Sequence, residues 1–340
     1  MATTTTLPRF ERLAPRISAI AMCTCAVMLS RVAAAQSPTD LRVRLESNGG
    51  APVIGALVAL LDPRDNVVME GLTTERGTRT LRAPAGTYRI RVRRIGYLPF
   101  ISTPVTLPRN DDLLLQVESP KVVLQNIVVT SNSKCYRDDP GARALSVVWD
   151  EIEKALRSSQ ITSADLVGIG RAEVFRRVRS LNGAEISNDT KSFTIGTRRP
   201  FAAIAPERLA ADGYVIGNEA AGWQFYAPDE TVMLSDQFAE THCFRLVRDD
   251  AHHGLIGVAF EPAPGRHLAD ITGALWVDEV TSELREIVFR FVNAGALSRF
   301  DAGGFTHFAR LPSGAWIVDD WILRAPLLAR EQADAYASHL

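Results

Sequence analysis

The feature that most constrains this chain is a series of short alternating segments between residues 40 and 130. Leu41, Val43 and Leu45 interleave with Arg42, Arg44 and Glu46, the period-two pattern of a strand buried on one face. Asn48-Gly49-Gly50 interrupts it, and 54–61 is apolar enough for a second, more deeply buried strand. Pro63-Arg64-Asp65-Asn66 has the composition of a turn, and 67–72 answers across it. Tyr88, Ile90 and Val92 then alternate with Arg89, Arg91 and Arg93. Two further strands are expected near 113–117 and 122–129. About seven short strands separated by turn signals predict an all-β sandwich.

The second half reads differently. Residues 131–141 are polar and turn-rich, as in a linker, and include Cys135. Beyond them Leu145, Val148, Trp149, Ile152 and Leu156 recur at spacings of three and four, with Asp150, Glu151, Glu153 and Lys154 on the other positions. This is the pattern of an amphipathic helix, and Asp139-Pro140 suits its start. After Ser163 the pattern returns to strands through about residue 328. In 284–292 alternation places Ile287, Phe289 and Phe291 on one face and Leu284, Val288 and Val292 on the other. Apolar residues on both faces imply a strand covered on both sides. Simple core, a cavity for an acyl chain, a dimer, or packing of the first domain would each produce that pattern.

Residues 1–35 read as a targeting segment. Arg9, Arg12 and Arg16 precede an apolar stretch over 17–29, and Ala33-Ala34-Ala35 before Gln36 has the small residues of a cleavage site. The apolar stretch is shorter than the roughly 20 residues that span a bilayer; an uncleaved anchor is the alternative. Cys23 and Cys25 lie in this stretch without a lipobox before them. The expected product is exported, periplasmic or peripheral to the outer membrane, with no transmembrane segment after signal cleavage.

Of four cysteines, only Cys135 and Cys243 lie beyond the expected cleavage point. A disulfide and two separate buried thiols both satisfy the sequence, and an oxidising compartment favours the disulfide. Closing so long a loop stabilises by about 3–5 kcal/mol in the chain-entropy account. Two distant cysteines lack the close ligand pairs of a zinc motif, so no metal is expected. With 340 residues, 46% of them apolar and 23% charged, the chain suffices for about two domains. A net charge of −1 gives no basic excess for phosphate neutralisation, so nucleic acid is not an expected partner.

Gly50-Ala51-Pro52-Val53-Ile54-Gly55-Ala56-Leu57-Val58 resembles the opening of carboxypeptidase regulatory-like domains. So does Pro84-Ala85-Gly86-Thr87-Tyr88-Arg89-Ile90-Arg91-Val92, followed by Gly96-Tyr97. The resemblance implies a transthyretin-like sandwich serving as a spacer, a chaperoning fold, or a carbohydrate- or protein-binding unit; for the chain as a whole the expected partner is an envelope protein, glycan or lipid. Glu75-Arg76-Gly77 departs from the family's usual acidic position before the central turn. Residues 124–130 resemble the junction before the plug of TonB-dependent receptors. The remaining two hundred or so residues fall short of a barrel of about 22 strands. The second half resembles the C-terminal region of uncharacterised envelope proteins, through His242-Cys243-Phe244, 271–278 and 308–324. That likeness matches Cys135 and Cys243 and so implies their disulfide.

The expected fold is mainly β, with a signal peptide over 1–35 and a seven-stranded transthyretin-like β-sandwich over 36–130. A linker over 131–141 then leads to an α+β domain over 142–340, with a helix and a curved antiparallel sheet. P-loop, H-E-x-x-H, G-x-S-x-G and dinucleotide fingerprints do not occur, so no catalytic residue and no cofactor is expected. Asp249-Asp250-Ala251-His252-His253-Gly254 reads as a surface loop, since Asp and Gly are turn formers; adjacent residues on a strand point apart, so His252 and His253 could share a metal only in an irregular loop. Arg89, Arg91, Arg93 and Arg94 form either a stripe for acidic partners or a solvated strand face. Candidate ligand contacts are Trp276, Phe289, Phe291, Trp316 and Trp321, each also readable as core or rim. The expected function is non-catalytic binding or scaffolding, with a carbohydrate-binding-like module. The alternatives are a LolA-like carrier of lipid or lipoprotein with an apolar cavity, and a hydrolase built on His242 or His253 beside a carboxylate.

Overall fold

Alternation at the N-terminal end of the described chain produces two facing sheets. The computed structural model describes residues 38–118, 121–125, 127, 141–165, 170–179, 184–195, 202–218 and 222–326; the predicted signal peptide, Cys135 and the predicted linker up to residue 140 lie outside them. The strands are β1 (Thr39–Glu46), β2 (Leu57–Leu61), β3 (Val67–Leu72), β4 (Thr78–Ala83), β5 (Gly86–Arg93), β6 (Phe100–Ile101), β7 (Val105–Leu107) and β8 (Leu113–Gln116). One sheet has the order β4-β1-β8 and the other β3-β2-β5-β6, with β7 also paired to β5. Leu41, Val43 and Leu45 meet Val58, Leu60, Ile90 and Val92 in the core between them. Among the described residues the sandwich thus has eight strands rather than seven: 100–107 adds two short ones, and the one expected over 122–129 is missing.

The strand expected over 122–129 does not form among the described residues of that stretch. Lys121 makes only an isolated bridge to Tyr97. Leu124 is drawn into a different core, where it is fully buried with Val148 and Ile152. Burial of that one side chain outweighs the local β-propensity.

The longest helix, α1 (Gly141–Asp165), covers the predicted periodic stretch. It is followed by the hairpin β9 (Gly170–Arg179) and β10 (Glu185–Ile195), by α2 (Pro206–Asp212), and by the pair β11 (Val215–Asn218) and β12 (Gly222–Phe225). Short helices α3 (Glu230–Met233) and α4 (Asp236–Thr241) interrupt what reads as continuous strand in the sequence; Asp229 and Ser235 cap them by accepting from the Val232 and Phe238 amides. Six strands then form an antiparallel meander: β13 (His242–Val247), β14 (Leu255–Pro262), β15 (Asp270–Asp278), β16 (Leu284–Val292), β17 (Gly303–Arg310) and β18 (Trp316–Arg324).

Helix α1 lies on the inner face of this meander. Val148, Ile152, Ala155 and Leu156 pack with Ile256, Val258, Ile271, Leu275 and Ile287 in one continuous core. Leu284 belongs to that same face, contrary to simple alternation. The register shifts between Trp276 and Val277, so that Trp276 pairs with Glu286 and Val277 with Leu284. The extra residue turns Leu284 inward.

The opposite side of α1 is held by the sandwich. Arg93, on β5, donates to Glu153 at 2.7 Å and to Asp150 at 2.9 Å. Glu151 accepts from the Gly96 amide at 2.7 Å, and Lys154 donates to the Tyr97 carbonyl at 2.9 Å. Lys154 also pairs with Glu151 and Asp150, each at 2.7 Å. The side chains of Glu151 and Lys154 are both 0% exposed. Burial pushes the Glu151 carboxyl above its ordinary range, with the Lys154 ammonium opposing that rise. Arg157–Glu70 and Arg79–Asp165 extend the contact along the helix.

At a second contact Gly55 and Gly314 approach so closely that a Cβ on either would meet the other's backbone; both have positive φ. These contacts help gather Ser37–Leu340 into one compact unit. The arginine series of β5 is neither a free stripe nor a fully solvated face. Arg93 is sequestered against α1, and Arg89 pairs with Asp65.

Lys154→Ala leaves Glu151 buried without its counter-ion and is expected to cost about 3–5 kcal/mol. Arg109→Ala, which removes an ion pair with exposed Asp111, is expected to leave the unfolding midpoint nearly unchanged, because solvent screens a surface pair. Urea unfolding of the two variants measures the difference, and equal midpoints would remove the clamp from the account.

Candidate functional site

Because α1 covers the inner face of the meander, the outward side chains of β13–β18 make the face on which a groove forms. The strand pairings set them in three rows. The first runs Gly257, Trp276, Glu286, His307 and Asp320; the second runs Arg245, Ala259, Ala274, Val288, Phe305 and Ile322. In the third, Thr272 pairs with Arg290, Arg290 with Gly303, and Gly303 with Arg324, while Cys243 pairs with Glu261 at the other end. A groove of about 430 Å³ lies over these rows, and Arg245, Ala259, Ala274, Val288, Arg290 and Arg324 are among its lining residues. That volume lies within the range of small-molecule sites.

The rim beside the first row is tightly built. A Cβ on Gly257 would collide with the Trp276 ring, so the ring lies against bare backbone. His252 stacks on Trp276 with ring centres 3.8 Å apart and planes 9° apart. His252 Nδ1 lies 2.6 Å from Asp249 and Nε2 lies 3.3 Å from Glu286, whose other oxygen is 3.1 Å from His307. The hydrogen bond from His252 holds the Asp249 carboxyl below its usual range. Asp249 also accepts from the Ala251 and His252 amides, as in the surface turn expected from its sequence. Trp276 is consequently only 4% exposed.

The candidate ligand contacts named from the sequence are not gathered in one place. Trp276 lines the groove but has an occupied ring face. Phe289 and Phe291 meet edge to face inside the core, although Phe289 also borders the groove. Trp316 is buried in that core, its amide donating to Thr162. Trp321 lines a different depression of about 680 Å³ between β9 and β18. Phe291 and Trp316 pack in the core, on strand faces that point toward α1.

Sequence reasoning missed Arg245, Arg290 and Arg324. The available signal was alternation within β16, where Glu286, Val288 and Arg290 share the face opposite Ile287, Phe289 and Phe291.

A His–carboxylate pair does exist, away from the groove. His242 Nε2 lies 3.1 Å from Asp270, and both side chains are fully buried. His242 Nδ1 lies 3.2 Å from the Phe238 carbonyl, while the ring stacks on Phe238 at 4.1 Å. Asp270 also accepts from Arg266 and from the Ile271 amide. Burial pushes the Tyr214 phenol far above its ordinary range, with Asp270 adding to the effect. This network joins α4, β13 and β15 by satisfying buried polar atoms. His253 belongs to the exposed turn, two residues after Ala251. Among the described residues no group of three or more His, Cys, Asp or Glu is placed to hold a metal ion. No helix among them is long and apolar enough to cross a membrane.

Comparison with known proteins bears on the sandwich. Residues 40–119 match the carboxypeptidase regulatory-like domain, a non-catalytic module, in agreement with the resemblance carried by 50–58 and 84–97. The match does not reach the second half. No curated protein matches the chain. Among solved structures, the Bacillus anthracis TIE protein is 13% identical over 46% of this chain and 26% of its own, with a TM-score of 0.22. A likeness that low supports no statement about fold or function.

Asp270→Ala strips the acceptor from His242, Arg266 and the Ile271 amide. The expected cost is about 3–5 kcal/mol, read as a lowered urea midpoint; an unchanged midpoint would show that the buried network is dispensable.

Proposed function

We propose that this is an exported envelope protein that binds or scaffolds without catalysis. In this reading the sandwich docks to an envelope protein or glycan, and the outer face of the meander presents its groove to a ligand. The observation that carries it is the asymmetry of the sheet. One face is filled by α1, and the other offers a groove whose Arg245, Arg290 and Arg324 make no side-chain hydrogen bond or ion pair among the described residues. The match of 40–119 to a non-catalytic module points the same way. Export rests on Arg9, Arg12, Arg16, the apolar stretch 17–29 and Ala33-Ala34-Ala35.

A carrier with an enclosed acyl-chain cavity gains no support, because Val148, Ile152, Leu156, Leu275 and Ile287 occupy the space between helix and sheet. A hydrolase built on His242 gains none either, since its carboxylate partner is sealed with it inside the protein. The disulfide between Cys135 and Cys243 remains part of the proposal. Burial of Cys243 on β13 supports it, while Cys135 lies outside the described residues.

Native mass spectrometry of the chain from Gln36, purified from a periplasm without detergent, tests this reading. The expected spectrum carries an added small-molecule mass that is lost on denaturation, and the polypeptide mass rises on reduction by the hydrogens of one disulfide. A bare mass would contradict ligand presentation, and an unchanged mass on reduction would contradict the disulfide.

A further inference from the structure

The groove on the outer face has a definite chemical polarity. Ala259, Ala274 and Val288 lie side by side on neighbouring strands and form a narrow apolar floor. Arg290 and Arg324 border this floor on the same face, with Gly303 between them in the pairing. Two strand spacings put their backbones about 10 Å apart, and the intervening glycine places no side chain between them. Arg245 stands beside Ala259 in the floor row. Among the described residues, none of these three arginines makes a side-chain hydrogen bond or ion pair, in contrast to Arg248, Arg266 and Arg285 on the same half of the chain. Two carboxylates also line the groove, Glu261 and Asp301. Glu261 already has an interaction, and even against both carboxylates the three guanidinium groups are the larger charge.

We infer that the groove binds a small single-chain amphipathic anion, with its phosphate held by Arg290 and Arg324 and its alkyl body on Ala259, Ala274 and Val288. Guanidinium groups match phosphate oxygens with two parallel donors each. A ligand of this kind answers both halves of the site: a free inorganic anion leaves the floor bare, and a neutral alkyl chain leaves the arginines without a counter-charge. Arg245 adds long-range attraction at the far end of the floor. The inference rests on the reading of this groove as the binding site and adds the class of ligand.

The test is calorimetric titration of the chain from Gln36 with decyl phosphate, with decanol, and with inorganic phosphate. Decyl phosphate is expected to bind, and each of Arg290→Ala and Arg324→Ala to weaken it roughly tenfold or more, as expected for losing a charged hydrogen bond. Arg109→Ala, on the sandwich, serves as the unaffected control. Ala274→Phe fills the floor and is expected to abolish the binding while leaving the circular dichroism spectrum unchanged. Decanol binding as tightly as decyl phosphate would overturn the anion assignment yet leave the groove a binding site. Inorganic phosphate binding equally well would overturn the role of the floor. Absence of binding by all three probes would overturn both this inference and the reading of the groove on which it rests.

Discussion

Glu151 and Lys154, one helical turn apart on α1, form the interaction on which the arrangement of this protein depends. Removing two opposite charges from water is costly unless the remaining donors and acceptors are satisfied. Here the Gly96 amide and the Tyr97 carbonyl supply that satisfaction. The loop after β5 is therefore fixed to the helix by its own backbone. Arg93, at the end of β5, also reaches Asp150 and Glu153 on the helix. The helix thereby has two buried sides: an apolar one facing the meander and an ionic one facing the sandwich.

The placement of the groove follows from that division. Only one face of the six-stranded meander meets α1, and its apolar residues are consumed there: Ile256, Ile271, Leu275, Ile287 and Phe289. The outward face retains small residues at Ala259 and Ala274 and cations at Arg245, Arg290 and Arg324. Trp276 would dominate this face were its ring free, but Gly257 lets it lie flat and His252 covers it. What remains accessible is a shallow apolar floor beside guanidinium groups that have no partner among the described residues. The His242–Asp270 network, by contrast, serves the packing between α4 and β15.

Much of the fold is legible in the sequence wherever a single periodicity acts alone. The interleaving of Leu41, Val43 and Leu45 with charged neighbours is borne out strand by strand, and the spacing of Val148, Ile152 and Leu156 marks the helix. The failures have physical causes. Residues 122–125 have strand-forming side chains, yet Leu124 is buried beside α1 instead. Leu284 breaks alternation because one bulged residue reverses its face. Glu151 and Lys154 read as an exposed helix face, since nothing local reveals that another layer will cover them. The candidate site was less legible than the fold. Phe291 and Trp316 serve the core, while Arg290 between two phenylalanines marks the outward face. Its relation to Arg324 becomes visible only through the pairing with Gly303.

The claim that α1 welds sandwich and meander into one body is tested most directly by scanning calorimetry of the chain from Gln36. A single endotherm is predicted, with equal calorimetric and van't Hoff enthalpies as for a cooperative two-state unit. Two separable transitions, one from the sandwich and one from the helix–sheet layer, would contradict it.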